Sequence, residues 1–265
     1  MLTMLLALCV IGAFTGFLAG LLGVGGGMML VPFMTFLFTL AKFPQDLVIK
    51  MALATSLTTI LFTSVSSLRA HHKKGMVRWD IAPAMGIGAM IGTFIGANFA
   101  GRIPSQWLAI FFAVFVSYSA IKMFQNKKPK PSREVPGKPV LGGVGFGVGF
   151  ISSLVGAGGA FISTPFMVWC NVVMHQAIGT SAALGFPIAV GGLLGYVIAG
   201  MGVEGLPDYS VGFVYVPALL ATAFASVITA PFGARTAHKM QVASLKKAFA
   251  VLLLVLASYM LTRAF

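Results

Sequence analysis

Apolar residues in this chain run on for the length of a membrane span before a polar stretch interrupts them. No Asp, Glu, Lys or Arg occurs from Met1 through Ala41, or from Pro139 through Val203. Runs of that length exceed what a buried helix of a soluble core needs and predict several membrane-crossing helices. The polar interruptions divide each half into five segments. They are roughly 3–23, 28–40, 47–68, 81–100 and 107–124, then 140–156, 160–172, 176–199, 212–231 and 247–264. Residues 1–125 and 139–265 are the expected units, joined by a basic linker over 126–138 in which lysines alternate with prolines. Such a connector is polar and semi-rigid.

The second segment of each half is short. At 1.5 Å per residue it covers roughly 20 Å, below the roughly 30 Å of a hydrocarbon core. Segments one and two are therefore expected to form a re-entrant-like helical hairpin that dips in and returns, followed by three transmembrane helices. Glycines mark the hairpin tips, and they occur twice. Residues 16–34 read GFLAGLLGVGGGMMLVPFM and residues 149–167 read GFISSLVGAGGAFISTPFM. An offset of 133 carries Gly23 to Gly156, Gly25 to Gly158, Gly26 to Gly159, Gly27 to Ala160 and Pro32 to Pro165. A chain that repeats its helix-breaking residues in each half points to a transporter with its site between the halves.

Charge then orients the halves. Composition is 58% hydrophobic and 9% charged, which excludes an ordinary soluble domain. The formal net charge of +13 does not indicate nucleic-acid binding, because the cations sit in short loops between apolar stretches. There they report the cytoplasmic side. If each half crosses an odd number of times, the two are inverted repeats. Arg69, Lys73, Lys74, Arg78, Lys122, Lys127, Lys128, Lys130, Arg133, Lys138, Arg235, Lys239, Lys246 and Lys247 then face inward. Lys42, Lys50, Arg102 and Arg263 face outward, a division of fourteen to four, against eleven to seven for a parallel arrangement. The first segment lacks a basic n-region and an A-x-A site, so a retained helix is expected there. Cys9 and Cys170 lie in apolar segments and read as small packing residues.

The candidate chemistry is that of an anion site. In the tips Gly23–Gly27 and Gly156–Ala160, glycine permits consecutive amides to converge on one point. The helix that starts there turns its positive dipole end toward the tip. Gly23, Gly25, Gly26, Gly27, Gly156, Gly158, Gly159 and Ala160 are accordingly the candidate substrate-binding backbone. Glycines at such positions also permit close helix packing. Thr55, Ser56, Thr180 and Ser181 follow in the third segment of each half and offer hydroxyls, or else bond their own helix four residues back. Lys50 and His175 occupy equivalent positions at the start of that segment, as vestibule charge or as snorkelling interfacial groups. The five acids, Asp46, Asp80, Glu134, Glu204 and Asp208, fall in expected loops. A carboxylate-based protease or proton relay within the membrane has no residues to use. Neither cofactor nor metal is expected.

At these residues the chain resembles the sulfite exporter TauE/SafE family, also called the toluene sulfonate uptake permease family. The resemblance rests on Gly16, Gly20, Gly23, Gly25–Gly27, Pro32 and Ala54–Ser56, repeated as Gly149, Gly156, Gly158, Gly159, Pro165 and Gly179–Ser181. Ser153 and Ala160 replace two of the glycines in the second copy, and Ala54 stands where that copy has Gly179. The resemblance implies a multi-pass protein of a bacterial inner membrane that moves sulfite, a sulfonate or another small anion. Its expected partners are that anion and the bilayer, with a homodimer also compatible. An anion channel built on the same residues, or a membrane-embedded enzyme, remain the alternatives at this point.

Overall fold

The computed structural model describes residues 2–22, 26–125, 132–237 and 242–262. Gly23, Gly25, Lys127, Lys128, Lys130, His238, Lys239 and Arg263 therefore lie outside the described residues. The first half holds α1 (Leu2–Leu22), α2 (Gly27–Leu40), α3 (Gln45–Lys73), α4 (Ala82–Arg102) and α5 (Ser105–Gln125). The second holds α6 (Lys138–Val155), α7 (Ala160–Trp169), α8 (Met174–Gly200), α9 (Val216–Ala237) and α10 (Val242–Thr262). A two-stranded antiparallel ribbon, β1 (Ser210–Val211) and β2 (Val214–Tyr215), precedes α9, with Ser210 opposite Tyr215. Among the described residues, seven helices are long and apolar enough to cross a membrane.

Two elements depart from the simple division into apolar segments. Helix α3 continues through Arg69 to Lys73, because cations suit the negative end of a helix dipole and their long stems stay apolar. Asp46 lies in the first turn of α3, where a carboxylate suits the positive end. The run expected to start near 212 gives the ribbon first, since Gly212 takes φ 55° and reverses the chain.

Helix α3 is the centre of the bundle. In its most apolar stretch 78% of residues are buried inside the protein, against 28% to 50% in the other six long helices. The others keep an apolar stripe outward. On α4, Ile87, Ile91, Ile95 and Phe99 recur every fourth residue and are about half exposed. Such a stripe belongs against lipid, since a soluble surface would not tolerate it. One residue further on, about 100° round the helix, Gly88, Gly92 and Gly96 form the face turned to the protein. A side chain on them would strike Gly142, Phe146 and Ser153 of α6. Small residues thus let the α4 and α6 backbones touch.

The contacts also give helix directions. Gly88, Gly92 and Gly96 meet α6 in rising order, so α4 and α6 run parallel. Gly12 and Gly16 of α1 meet Thr222 and Ser226 of α9 in the same sense. Leu57 lies against Gly192 and Ser64 against Gly185, so α3 and α8 run antiparallel. The principal packing partners keep their form when the halves are exchanged: α1 on α9 becomes α6 on α4, and α2 on α3 becomes α7 on α8. One end of the bundle carries the α3–α4 turn, where the Arg78 amide bonds Thr180 near the start of α8. The other end carries the ribbon, with Phe213 against Gly200 at the end of α8.

Candidate functional site

Gly27 of the first tip meets Gly156 of the second in the buried interior of the protein. Gly26, at φ 61°, caps α2, and Gly159, at φ 76°, caps α7. Gly156, at φ 66°, ends α6. All three sit in the left-handed region, where a Cβ is strained, and this is what lets the chain turn sharply between half-helices. A Cβ on Gly27 would run into the carbonyl oxygen of Gly156. Only a glycine pair permits that approach.

Ser56 joins the tips. Its Oγ, fully buried on α3, lies 3.0 Å from the carbonyl oxygen of Gly156 and 3.3 Å from that of Gly27, as a shared donor. Two helices start at these tips, so two positive dipole ends approach one point. The amides of Gly158, Gly159, Ala160 and Phe161 bond no acceptor among the described residues, as expected for a helix start. Gly156 through Ala160 are buried and Gly27 is too, while Gly26 is partly exposed. Ile60 lies over both tips: its Cδ1 is 2.9 Å from where a Cβ of Gly27 would be, and its Cγ2 is 3.7 Å from that of Gly158.

The other hydroxyls are committed elsewhere. Thr55 Oγ1 accepts the Tyr215 amide at 3.1 Å. Thr180 Oγ1 accepts the Arg78 amide at 2.9 Å and donates to Gln176 O at 2.7 Å. Each of these threonines holds the loop that leads into the fourth helix of the opposite half. Ser181 Oγ lies 2.8 Å from both Ser163 Oγ and Thr164 Oγ1. Ser163 donates to Gly159 O at 3.0 Å, so Ser181 donates to Ser163 and Thr164 to Ser181. That chain uses every proton it has. Lys50 Nζ donates to Gly101 O at 2.9 Å and lies 5.8 Å from the Phe213 ring centroid, tying α3 to the end of α4. His175 is exposed in the first turn of α8.

Sequence reasoning missed Ser152. This residue is 2% exposed, and its Oγ has no hydrogen-bond partner. Such a group is unfavourable unless something else satisfies it. It lines a small cavity with Gly159, Ala157, Met28, Ile151 and Phe115, about 10 Å³ in size, room for about one water-sized atom. The signal was present: Ser152 and Ser153 interrupt an apolar run where the first copy has Ala19 and Gly20. Ser153 donates to Phe150 O, which leaves Ser152 as the unassigned hydroxyl at the second tip. Among the described residues no group of His, Cys, Asp and Glu is placed to hold a metal ion.

Long apolar helices around paired interior helix starts define a multi-pass membrane protein of the transporter class. The chain belongs to the sulfite exporter TauE/SafE family, whose profile matches residues 8–260. It is 36% identical over 97% of its length to a probable membrane transporter protein of Haemophilus influenzae, covering 98% of that protein. It is 28% identical over 96% of its length to the probable membrane transporter protein MJ0441 of Methanocaldococcus jannaschii, covering 94%. YdhB of Bacillus subtilis, also named a probable membrane transporter protein, is 30% identical over 73% of the chain and is covered to 77%. No solved structure matches.

Proposed function

We propose that this protein is a secondary transporter for a small anion, sulfite or an organosulfonate, in a bacterial inner membrane. The observation that carries the reading is the meeting of two glycine-started half-helices at Gly27 and Gly156, bridged by Ser56. Free first-turn amides and two dipole ends favour negative charge at that point. No carboxylate lies near it to favour a cation, because all five acids sit at helix ends or in loops. The amides after Gly158 and the Ser152 hydroxyl would hold the oxygens of the anion. Ser56 would keep the two tips in register.

The halves act as inverted repeats in this reading. Support comes from α3 and α8, which occupy equivalent places and run in opposite directions. The basic α3–α4 turn then faces the cytoplasm, as the bias of Lys and Arg requires. Ile60 lies over Gly27 and Gly158, and the cavity beside Ser152 has room for one water-sized atom, so an anion needs the tips to part before it can enter. Transport proceeds by rocking of the halves, which draws Ile60 off the tips and admits the anion from one face at a time.

The test is counterflow of labelled anion in proteoliposomes, after a thermal-shift screen of sulfite, thiosulfate, taurine, sulfoacetate and carboxylates. Saturable counterflow with a sulfur oxyanion or sulfonate, reduced at least ten-fold in Ser152→Ala, is the expected result. Flux that never saturates would mark a channel. Counterflow unchanged in Ser152→Ala would remove that hydroxyl from the site.

A further inference from the structure

A second cavity lies far along α3 from the tips, on a different face of that helix. It opens between α3 and α9 and has a volume of about 440 Å³. Phe62, Val65 and Val227 line one part, and Ser66, Arg69 and Lys73 line the other. The residues of α3 recur at spacings of three and four, so they form one face of the helix. From Phe62 to Lys73 that face extends about 16 Å along the axis. It runs from exposed apolar residues midway along the bundle to its basic end.

Among the described residues the cations of this groove have no carboxylate partner. The chain contains five acids in all. Asp80 pairs with Arg78 at 2.6 Å, the one ion pair among the described residues. Asp46 is at the opposite end of α3, Glu134 is in the linker, and Glu204 and Asp208 are in the loop before the ribbon. Arg69 and Lys73 are both exposed, four residues apart, with a hydroxyl from Ser66 beside them. A charged pair above an apolar slot is complementary to one kind of molecule, an acidic head on hydrocarbon chains.

We propose that this groove binds an anionic phospholipid of the surrounding bilayer. The phosphate sits between Arg69 and Lys73, where the guanidinium supplies a planar pair of donors and the ammonium a point charge. An acyl chain lies along Phe62, Val65 and Val227. The site is separate from the glycine tips and does not depend on what the protein transports. Basic pockets between helices on the cytoplasmic side are suited to acidic head groups in this way.

The experiment is lipid retention. Wild-type protein is reconstituted in nanodiscs of equal phosphatidylglycerol and phosphatidylcholine, then released and read by native mass spectrometry. Retained phosphatidylglycerol is expected on the wild type, and each of Arg69→Gln and Lys73→Gln should lower its affinity about five-fold. Val227→Glu should lower it as well, by placing a carboxylate in the apolar slot, whereas Lys42→Gln at the other end should not. All four positions are exposed, and thermal unfolding reports that each variant is folded. Equal retention in the wild type and the Arg69→Gln/Lys73→Gln variant would overturn the proposal. Full displacement by millimolar inorganic phosphate would also overturn it, in favour of a free-phosphate site.

Discussion

The two glycine tips carry the same motif, yet equivalent positions in them differ in the room they leave. In the first, the Cβ position of Gly27 is filled by the Gly156 carbonyl and by Ile60. In the second, the equivalent residue is Ala160, which already carries a Cβ, and a Cβ on Gly158 would make ordinary contact with Ile60 at 3.7 Å, although Gly156 and Gly159 have no such room. The third helices differ in the same sense. Where α3 has Ile60, the offset of 125 that relates Thr55 to Thr180 gives Gly185 in α8. Ser64 Cβ, at 3.2 Å, and Ile60 Cγ2, at 3.7 Å, border the missing Cβ of Gly185, so α3 supplies the bulk on this side and α8 the room for it. A duplicated fold thus need not be symmetrical at the point where its copies touch.

The widest gap between the halves is expected from alanine at the tips. Gly27→Ala pushes a methyl into a backbone carbonyl that cannot turn aside, and should lower stability by about 3 kcal/mol. Gly158→Ala should lower it by less than about 1 kcal/mol, since its space is open. Thermal unfolding in detergent compares the two, and equal shifts would break the distinction. Ile60→Ala comes next, at roughly 2 to 4 kcal/mol for the cavity left behind. It should also let a thiol reagent reach Gly158→Cys in a cysteine-free background, where the single Gly158→Cys variant stays protected.

The serines sharpen the comparison further. Ser56→Ala leaves two buried carbonyls without their shared donor and should be destabilising by about 2 kcal/mol. Ser181→Ala should be destabilising by about 1 kcal/mol, because Ser163 keeps its bond to Gly159 O and one hydroxyl alone, that of Thr164, loses its acceptor. The smallest effect lies in the loops held by Thr55 and Thr180. The loop anchored on Thr180 contains the Arg78–Asp80 pair, and the hydrogen bond from Arg78 holds the Asp80 carboxyl below its ordinary range. A lowered carboxyl value stabilises the fold above the ordinary carboxylate range, and that contribution fades as the pH falls through the lowered value. Asp80→Asn should therefore be slightly less stable than wild type at pH 7, by no more than about 0.5 kcal/mol for so exposed a pair, and equal to it in strong acid. A difference that grows on acidification would contradict the assignment.

Much of the membrane architecture was legible along the chain. Gly26 and Gly159 were readable as turn points because no other residue takes a positive φ so easily, and both cap a half-helix in the structure. The long helices announced themselves by uninterrupted apolar length. Less legible was the role of each hydroxyl. Thr55 and Thr180 stand beside Ser56 and Ser181 in sequence, but successive helix positions point about 100° apart. The threonines meet loop amides, while the serines meet the hairpins. The Ser152–Ser153 pair stood out in the apolar run, but only the structure tells Ser152, left unpartnered, from Ser153, which bonds Phe150 O.

By itself the sequence determined that the chain crosses a bilayer many times, that one glycine motif occurs in each half, and that helix breaks fall at these glycines. These are local properties, set by hydrophobic length and by backbone freedom at single residues. The tertiary structure alone decided that the breaks touch one another, that Ser56 bridges them, that Ile60 covers both and that Ser152 is left unpaired. Those facts depend on contacts between different helices, Ser56 with Gly27 29 residues away and with Gly156 100 residues away among them, and helix packing is fixed by the fit of whole surfaces rather than by any one position.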